Sequence, residues 1–398
     1  MTVIHRKNSS GFPSFKSKRA GRCGKPKKLT DIADKITSLP WRKRRTIRSI
    51  AKAIKVSPAS VYRSVASGEI VRHTNSVKPH LTETNKASRR EYCLSFVNTE
   101  SYEFHDFANR IFIDEKWFYM TEADRSIYLA PGEAPPHRTV QSKRFIIKVI
   151  FMAAVMRPVF AEDGSLIFDG KLGMWPFTER VPAKKSSRNR PAGTLITKAV
   201  NVGRREQRAM LIDNVIPAIK MKCPAFLKGV PLIIQQDGAR CHVEPNDPAI
   251  LAACRADGWD ICIEMQPPNS PDTNILDLGY FCSIQALQYA ESPNSIDELI
   301  ECTIASYQNL QPETLEDTFV SLQKVMECII QDLGNNNYKR PHIGKSKLRK
   351  AGLLLKNYKC DLSIYLVGAA YHFVASQQKV EKENLLRLQI EAFRFLTV

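Results

Sequence analysis

Three aspartates stand where an acid is costly. Asp114 closes the apolar run Arg110-Ile-Phe-Ile113, Asp237 follows Leu232-Ile-Ile-Gln-Gln236, and Asp277 ends Pro271-Asp-Thr-Asn-Ile-Leu276. A carboxylate beside buried strand positions is unfavourable unless its charge is compensated. Three that converge suggest a hard divalent cation. Mg²⁺ sites take one or two carboxylates per ion and fill the rest with water and phosphate oxygens. A pair of such ions is a common device for in-line displacement at phosphorus. The chemistry implied is metal-dependent cutting and joining of DNA.

Each acid also has a plainer reading. Asp114 could pair with Lys116 at a strand edge. Asp237 precedes Gly238 and could fix a turn. Asp277 could complete a capping box with Asn274, three residues before it. Asp272 is a rival third carboxylate, though its Pro-rich surroundings favour a turn. Glu115 neighbours Asp114 but points to the other strand face, which makes it the weaker ligand.

The charge distribution names a partner class. Of the formal net charge of +19, the first 100 residues carry +17, from 23 basic and 6 acidic side chains. Such asymmetry points to a polyanion, most simply DNA. The ten cysteines form no C-x-x-C pair, and Cys241-His242 has no companion ligand at metal spacing. That excludes a zinc ribbon and a disulfide framework. No apolar run approaches the ~18 residues of a membrane span. The expectation is a soluble, intracellular, reduced protein with no membrane partner.

Residues 1–28 form a basic tail, read as disordered, with the clusters Lys16-Ser-Lys-Arg19 and Lys25-Pro-Lys-Lys28. Residues 29–72 read as a helix-turn-helix. Ile47, Ile50, Ala51 and Ile54 form one stripe, Ser57 caps a second helix with Pro58 at its first position, and Val61 packs back on Ala51. Lys55 stands where this turn favours Gly. Ser60, Tyr62 and Arg63 are placed to read bases or phosphates, and Arg42, Lys43, Arg44 and Arg45 add a basic cluster. Residues 73–105 read as a connector with one helix near 82–96, a hinge or dimer contact.

From residue 106 to 335 the pattern is α/β. Strands fall at 110–114, 126–129, 145–155, 231–234 and 261–265. Helices fall at 206–220, 248–256 and 274–289, then from 295 to about 333. Three consecutive strands followed by alternating helix and strand give a mixed sheet with helices on its faces. Residues 180–205 contain no acid and carry Lys184, Lys185, Arg188 and Arg190. They read as a phosphate-tracking loop between strands. Residues 336–398 read as a C-terminal extension, with a short apolar stretch at Tyr365–Ala375 and an amphipathic one at Lys379–Phe395.

Together these segments resemble the mariner-like transposases, of the superfamily shared with retroviral integrases and the ribonuclease H-like fold. The resemblance spans about residues 45–345 and rests on IDEKWFYM, YLAPGE, PPHRTVQSKRF, FDGKLGMWPF, PAKKSSRNRPAGT, IIQQD, QPPNSPDTNILDLGYF and YKRPH. Asp237 and Asp277 are separated by 39 residues, the spacing of one branch; Asp272 would give 34, that of another. In both branches the later Asp of S-P-D-x-x-x-x-D is the catalytic one, which selects Asp277. Val77-Lys-Pro-His-Leu81 resembles the linker of transposase dimers.

The resemblance implies a catalytic DDD triad of Asp114, Asp237 and Asp277 holding two Mg²⁺ ions, with Mn²⁺ as a substitute. It implies a helix-turn-helix bound to the terminal inverted repeats of double-stranded DNA, insertion at TA, a homodimer, and action in the nucleus. Gly238 and Cys241 stand where the family has Asn and Pro. They favour the alternative, a transposase-derived DNA-binding protein with impaired or lost catalysis. A ribonuclease H-type nuclease acting on RNA–DNA hybrids fits the sheet but leaves the helix-turn-helix unexplained.

Overall fold

The computed structural model describes residues 6–7, 13–14, 32–44, 46–71, 78–121, 142, 146–187, 190–291 and 293–396. The chain divides into two compact units, Met1–Val77 and Lys78–Val398. Of the basic tail only Arg6–Lys7 and Pro13–Ser14 are described, as a short antiparallel pair. The rest of that expected tail lies outside the described residues.

In the first unit α1 (Ile32–Thr37), a short turn of helix at Trp41–Arg44, α2 (Ile47–Ala53) and α3 (Pro58–Ala66) enclose one small core. Its buried members are Ile32, Ile36, Ile50, Ala51 and Val61. The helix starts follow the residue chemistry. Thr46 Oγ1 accepts from Ser49 N at 3.0 Å and Ser57 Oγ accepts from Ser60 N at 3.1 Å, satisfying donors that the first helical turn leaves unpaired. Between α2 and α3, Lys55 adopts φ +56°, the left-handed conformation in which Gly is the unstrained residue.

The second unit opens with α4 (Glu83–Leu94), capped by Thr82, whose Oγ1 accepts from Asn85 N at 3.2 Å. This segment is not a free connector. Tyr92 and Cys93 are part of the main core and Arg89 is wholly buried, because the apolar face of α4 packs on the later helices Pro312–Gln331 and Leu362–Leu396.

The central sheet contains β1 (Arg110–Tyr119), β2 (Lys148–Val155), β3 (Lys171–Pro176), β6 (Leu232–Gln236) and β7 (Ile261–Met265). Its order is β7-β6-β1-β2-β3. β6 runs parallel to β7 and β1, while β2 is antiparallel to both β1 and β3. A mixed sheet with helices on its faces is the fold class expected from the sequence. The third antiparallel strand is β3, which was not expected, and the expected strand at 126–129 lies outside the described residues.

Side chains alternate across the sheet. Phe112, Phe118, Phe151, Ala153 and Val155 face α4, α8 (Phe281–Gln288), α9 (Ile296–Asn309) and α10 (Pro312–Gln331). Ile111, Ile113, Met152, Ala154 and Ile234 face α5 (Arg204–Met210), α6 (Ile216–Lys222) and α7 (Pro248–Arg255).

Two expectations need correction. Residues 180–205 are not one loop: β4 (Thr178–Pro182) and β5 (Leu195–Ala199) pair antiparallel, leaving only the tip as loop. Beyond α11 (Lys345–Lys350), the apolar stretch and the amphipathic stretch of the extension are not separate: both lie in one helix, α12 (Leu362–Leu396). No Gly or Pro interrupts residues 369–396, so nothing in the backbone stops the helix.

Candidate active site

The alternation of β1 divides its two acids. Asp114 lies on the Phe112 face and Glu115 on the Ile113 face. β6 pairs with β1 so that Gln235 stands opposite Phe112; two residues further along each chain come Asp237 and Asp114. Asp277 enters from the helical layer, in an irregular turn (Leu276–Tyr280) ahead of α8.

Asp277 lies close enough to Asp114 for the two carboxyls to influence each other's charge. Glu115 N donates to Asp114 Oδ1 at 2.7 Å, and Asn274 Nδ2 to Oδ2 at 3.3 Å. Burial, then the charges of Asp277 and Glu115, hold the Asp114 carboxyl well above the usual carboxylate range. Asp277 is open on its outer side, yet the protein crowded around it removes enough water to push its carboxyl up. Lys116 and Arg340 oppose that rise, and Arg340 is anchored beside Asp277 by donating to Leu278 O at 3.0 Å.

Asp237 leans the other way, onto His242. Among the described residues both of its side-chain bonds fall on Oδ1, from Ala239 N at 2.9 Å and His242 Nδ1 at 2.7 Å. On the far side of the ring, His242 Nε2 donates to Glu115 Oε2 at 2.9 Å. Burial disfavours the charged imidazole, but the hydrogen bonds it donates to Asp237 and Glu115 outweigh it and the His242 pKa is pushed up to about 11. Asp237 is held low, first by that same hydrogen bond. Sequence reading gave His242 no role beyond a doubtful metal ligand and set Glu115 aside.

The two glutamines before Asp237 fix the loops around it. Buried Gln235 donates to Thr273 O at 3.1 Å, tying β6 to the loop that carries Asp277. Buried Gln236 donates to Val243 O at 2.7 Å, tying it to the loop that carries His242. Tyr92 OH on α4 donates to Gln235 Oε1 at 2.5 Å.

Asp272 is removed from contention as a ligand. Arg89 grips both its oxygens, at 2.7 and 2.8 Å, and Tyr338 OH donates to Oδ2 as well. The capping box is not formed either, because Asn274 N donates to Pro271 O. A cleft of about 820 Å³ opens beside Asp237 and Asp277, lined also by Ser88, Tyr92 and residues of the loop 267–271.

Among the described residues no three His, Cys, Asp or Glu side chains form a ready-made metal cage. The donor chemistry nonetheless fits a hard cation. The three acids offer only carboxylate oxygen, the ligand of Mg²⁺ and Mn²⁺. Asp114 and Asp277 are both pushed up, first by burial, and the charge of Asp277 adds to the rise of Asp114; a cation between them would relieve that repulsion.

The DNA-binding candidates separate into groups. Tyr62 and Arg63 are exposed on α3 and Lys43 is exposed before α2. Ser60 is half-buried, its Oγ 2.9 Å from that of Ser57. Arg44 is occupied in closing α1, with Nε donating to Leu39 O at 2.8 Å. Lys184, Lys185 and Arg190 are exposed at the tip of the β4–β5 hairpin. Arg45 and Arg188 lie outside the described residues, as do the Arg42 side chain, residue 77 of the linker motif and all of YLAPGE.

No protein-family description and no curated protein matches this chain. Among solved structures it resembles the Mos1 mariner paired-end complex with Mn, at 18% identity and TM-score 0.53, covering 80% of this chain and 82% of that one. It resembles the same complex with Mg at 18% identity and TM-score 0.52, covering 83% and 85%. The Mos1 strand transfer complex aligns at 17% identity and TM-score 0.51, covering 82% and 83%. The fold is therefore shared with these chains over most of both lengths.

Proposed function

We propose that this chain is a mariner-like DNA transposase that binds the terminal inverted repeats of its element and cuts and rejoins DNA. The observation that carries this reading is the approach of Asp277 to Asp114 in the middle of β1, with Asp237 just past the end of the adjacent β6. The likeness in fold to structures named as transposon-end and strand-transfer complexes supports it.

In this reading Asp114, Asp237 and Asp277 hold two Mg²⁺ ions, or Mn²⁺ in their place. When bound, such ions stabilise charge on the attacking and leaving oxygens at phosphorus. The chain's own part is orientation. Asn274 and the Glu115 amide fix Asp114, Gln235 fixes the loop bearing Asp277, and Lys116 and Arg340 keep positive charge beside it. The phosphodiester at the element's end is hydrolysed, and the freed 3′ oxygen attacks target DNA at TA. Tyr62, Arg63 and Lys43 engage the repeat, and Lys184, Lys185 and Arg190 track phosphates. Pairing two ends requires a homodimer, and the substrate places the protein in the nucleus.

The test is cleavage of a labelled duplex carrying the terminal repeat that flanks the gene, with Mg²⁺, by the protein and its Asp277→Asn variant. Cutting by the first and not the second is the expected result. Repeat binding without cutting by either, even after Gly238→Asn, overturns catalysis and leaves a DNA-binding protein of transposase descent.

A further inference from the structure

Glu115 and His242 lie 127 residues apart in the chain, yet they meet behind Asp237. His242 is 4% exposed and Glu115 11%, so neither is placed to touch DNA in the cleft. The ring uses both nitrogens. Nδ1 donates to Asp237 Oδ1 at 2.7 Å and stands 2.9 Å from Asp237 O, while Nε2 reaches Glu115 Oε2 at 2.9 Å. Glu115 Oε1 is buried with no hydrogen-bond partner among the described residues. A buried carboxylate left half-satisfied is unfavourable, so its retention there calls for a reason other than stability.

We propose that Glu115 and His242 are positioning residues for Asp237, His242 fixing the carboxylate through Oδ1 so that Oδ2 is presented to the cation, and Glu115 fixing the ring. This deepens the metal-site reading above and rests on it. The arrangement is the oxygen-ligand counterpart of a carboxylate–histidine pair that orients a ligand from behind, where losing the outer partner typically weakens metal affinity by about 10–100-fold.

The test uses the full chain and Mn²⁺ alone, with free Mn²⁺ followed by electron paramagnetic resonance, so that no catalytic turnover is needed. His242→Ala is expected to weaken Mn²⁺ binding about 10–100-fold. His242→Asn, whose amide can replace Nδ1 but does not reach Glu115, is expected to restore most of it. Glu115→Ala is expected to weaken binding in the wild-type background and to change nothing further in the His242→Asn background. If His242→Ala fails to fold, the His242→Asn variant and the Glu115→Ala pair still decide the matter. Equal or tighter Mn²⁺ binding by a folded His242→Ala variant, or a Glu115→Ala effect that persists in the His242→Asn background, overturns the proposal. If the wild-type protein itself binds no Mn²⁺ and matches an Asp114→Asn control, the metal reading fails first and takes this inference with it.

Discussion

Arg89 on α4 donates through both terminal nitrogens to Asp272, at 2.7 and 2.8 Å, and its Nε donates to Gly334 O at 2.8 Å. The guanidinium is fully buried, so its charge has no water to fall back on. Removing one partner of such a pair leaves the other uncompensated, at a cost of about 3–5 kcal/mol. Asp272→Asn and Arg89→Ala should each destabilise the second unit by that order, read from denaturant unfolding. The sign with pH follows from the carboxyl. Burial would raise Asp272, but Arg89 outweighs it and holds the group below its usual value. The pair's contribution is therefore complete at neutral pH and is lost only as acid takes the pH below the normal carboxylate range. A difference between wild type and Asp272→Asn that vanished near neutrality would contradict this assignment.

Asp114 is the opposite case. Its carboxyl is raised, so the folded state favours the proton and loses stability as the pH climbs toward neutrality. Asp114→Asn should therefore stabilise the metal-free protein at neutral pH, by about 0.5–2 kcal/mol, the usual scale when a functional strain is relieved. The same variant should lose cleavage and lose any thermal stabilisation by Mg²⁺. Thermal unfolding with and without Mg²⁺ checks both halves. A variant no more stable than wild type without metal would sink the idea that the acid pair is strained.

Gly238 can accept a side chain. A Cβ there meets no atom within 4 Å, and its φ is not in the left-handed range. Gly238→Asn should change stability by no more than about 0.5 kcal/mol, as for surface substitutions away from special features. Because Gly238 lines the cleft beside Asp237, the added amide can contact phosphate, and repeat cleavage should rise. Melting temperature and initial cleavage rate are the two measurements, and a lost rate with an unchanged melting temperature would count against the site.

Much of this site is legible in the sequence because strand alternation and strand ends are local patterns. Ile111, Phe112 and Ile113 alone assign Asp114 to one face of its strand, and Leu232–Gln236 delivers Asp237 to a strand end. Alternation also sends Glu115 to the far face, correctly, but makes it look idle there. Its partner His242 comes from a distant loop, and no local spacing announces that meeting. The roles of Gln235 and Gln236 are equally hidden, because their bonds go to the main chain of Thr273 and Val243, which carries no sequence signal. The β4–β5 hairpin escapes notice for a composition reason. Its strands are only five residues each, and the basic, Pro- and Gly-containing tip between them dominates the pattern.

Lys55 strains the turn of the first unit. A non-glycine residue in the left-handed conformation costs about 1–2 kcal/mol, and Lys55 sits there at φ +56°. Lys55→Gly should recover up to about 1 kcal/mol, less because glycine gains freedom in the unfolded chain. The check is unfolding of the full chain followed by a probe in α2 or α3. Destabilisation would mean that the lysine side chain makes a contribution that its backbone conformation conceals.

Arg44 and Arg63 are both basic residues of the first unit, but the structure gives them different work. Arg44 donates to Leu39 O and to Thr37 O and so closes α1. Arg63 is exposed on α3, and among the described residues only its Nε is engaged, to Ala59 O at 3.2 Å. Arg63→Ala should therefore weaken binding to the terminal repeat by about 1–3 kcal/mol if it reads a base, or lower the salt slope by about one if it holds a phosphate. Its melting temperature should stay unchanged. Arg44→Ala should lower the stability of the first unit and alter repeat affinity only as far as folding is lost. Binding titrations at two salt concentrations, set beside melting curves, separate the two. If Arg44→Ala weakened repeat binding while the unit stayed folded, the basic cluster before α2 would be a DNA contact in its own right, as its composition suggests.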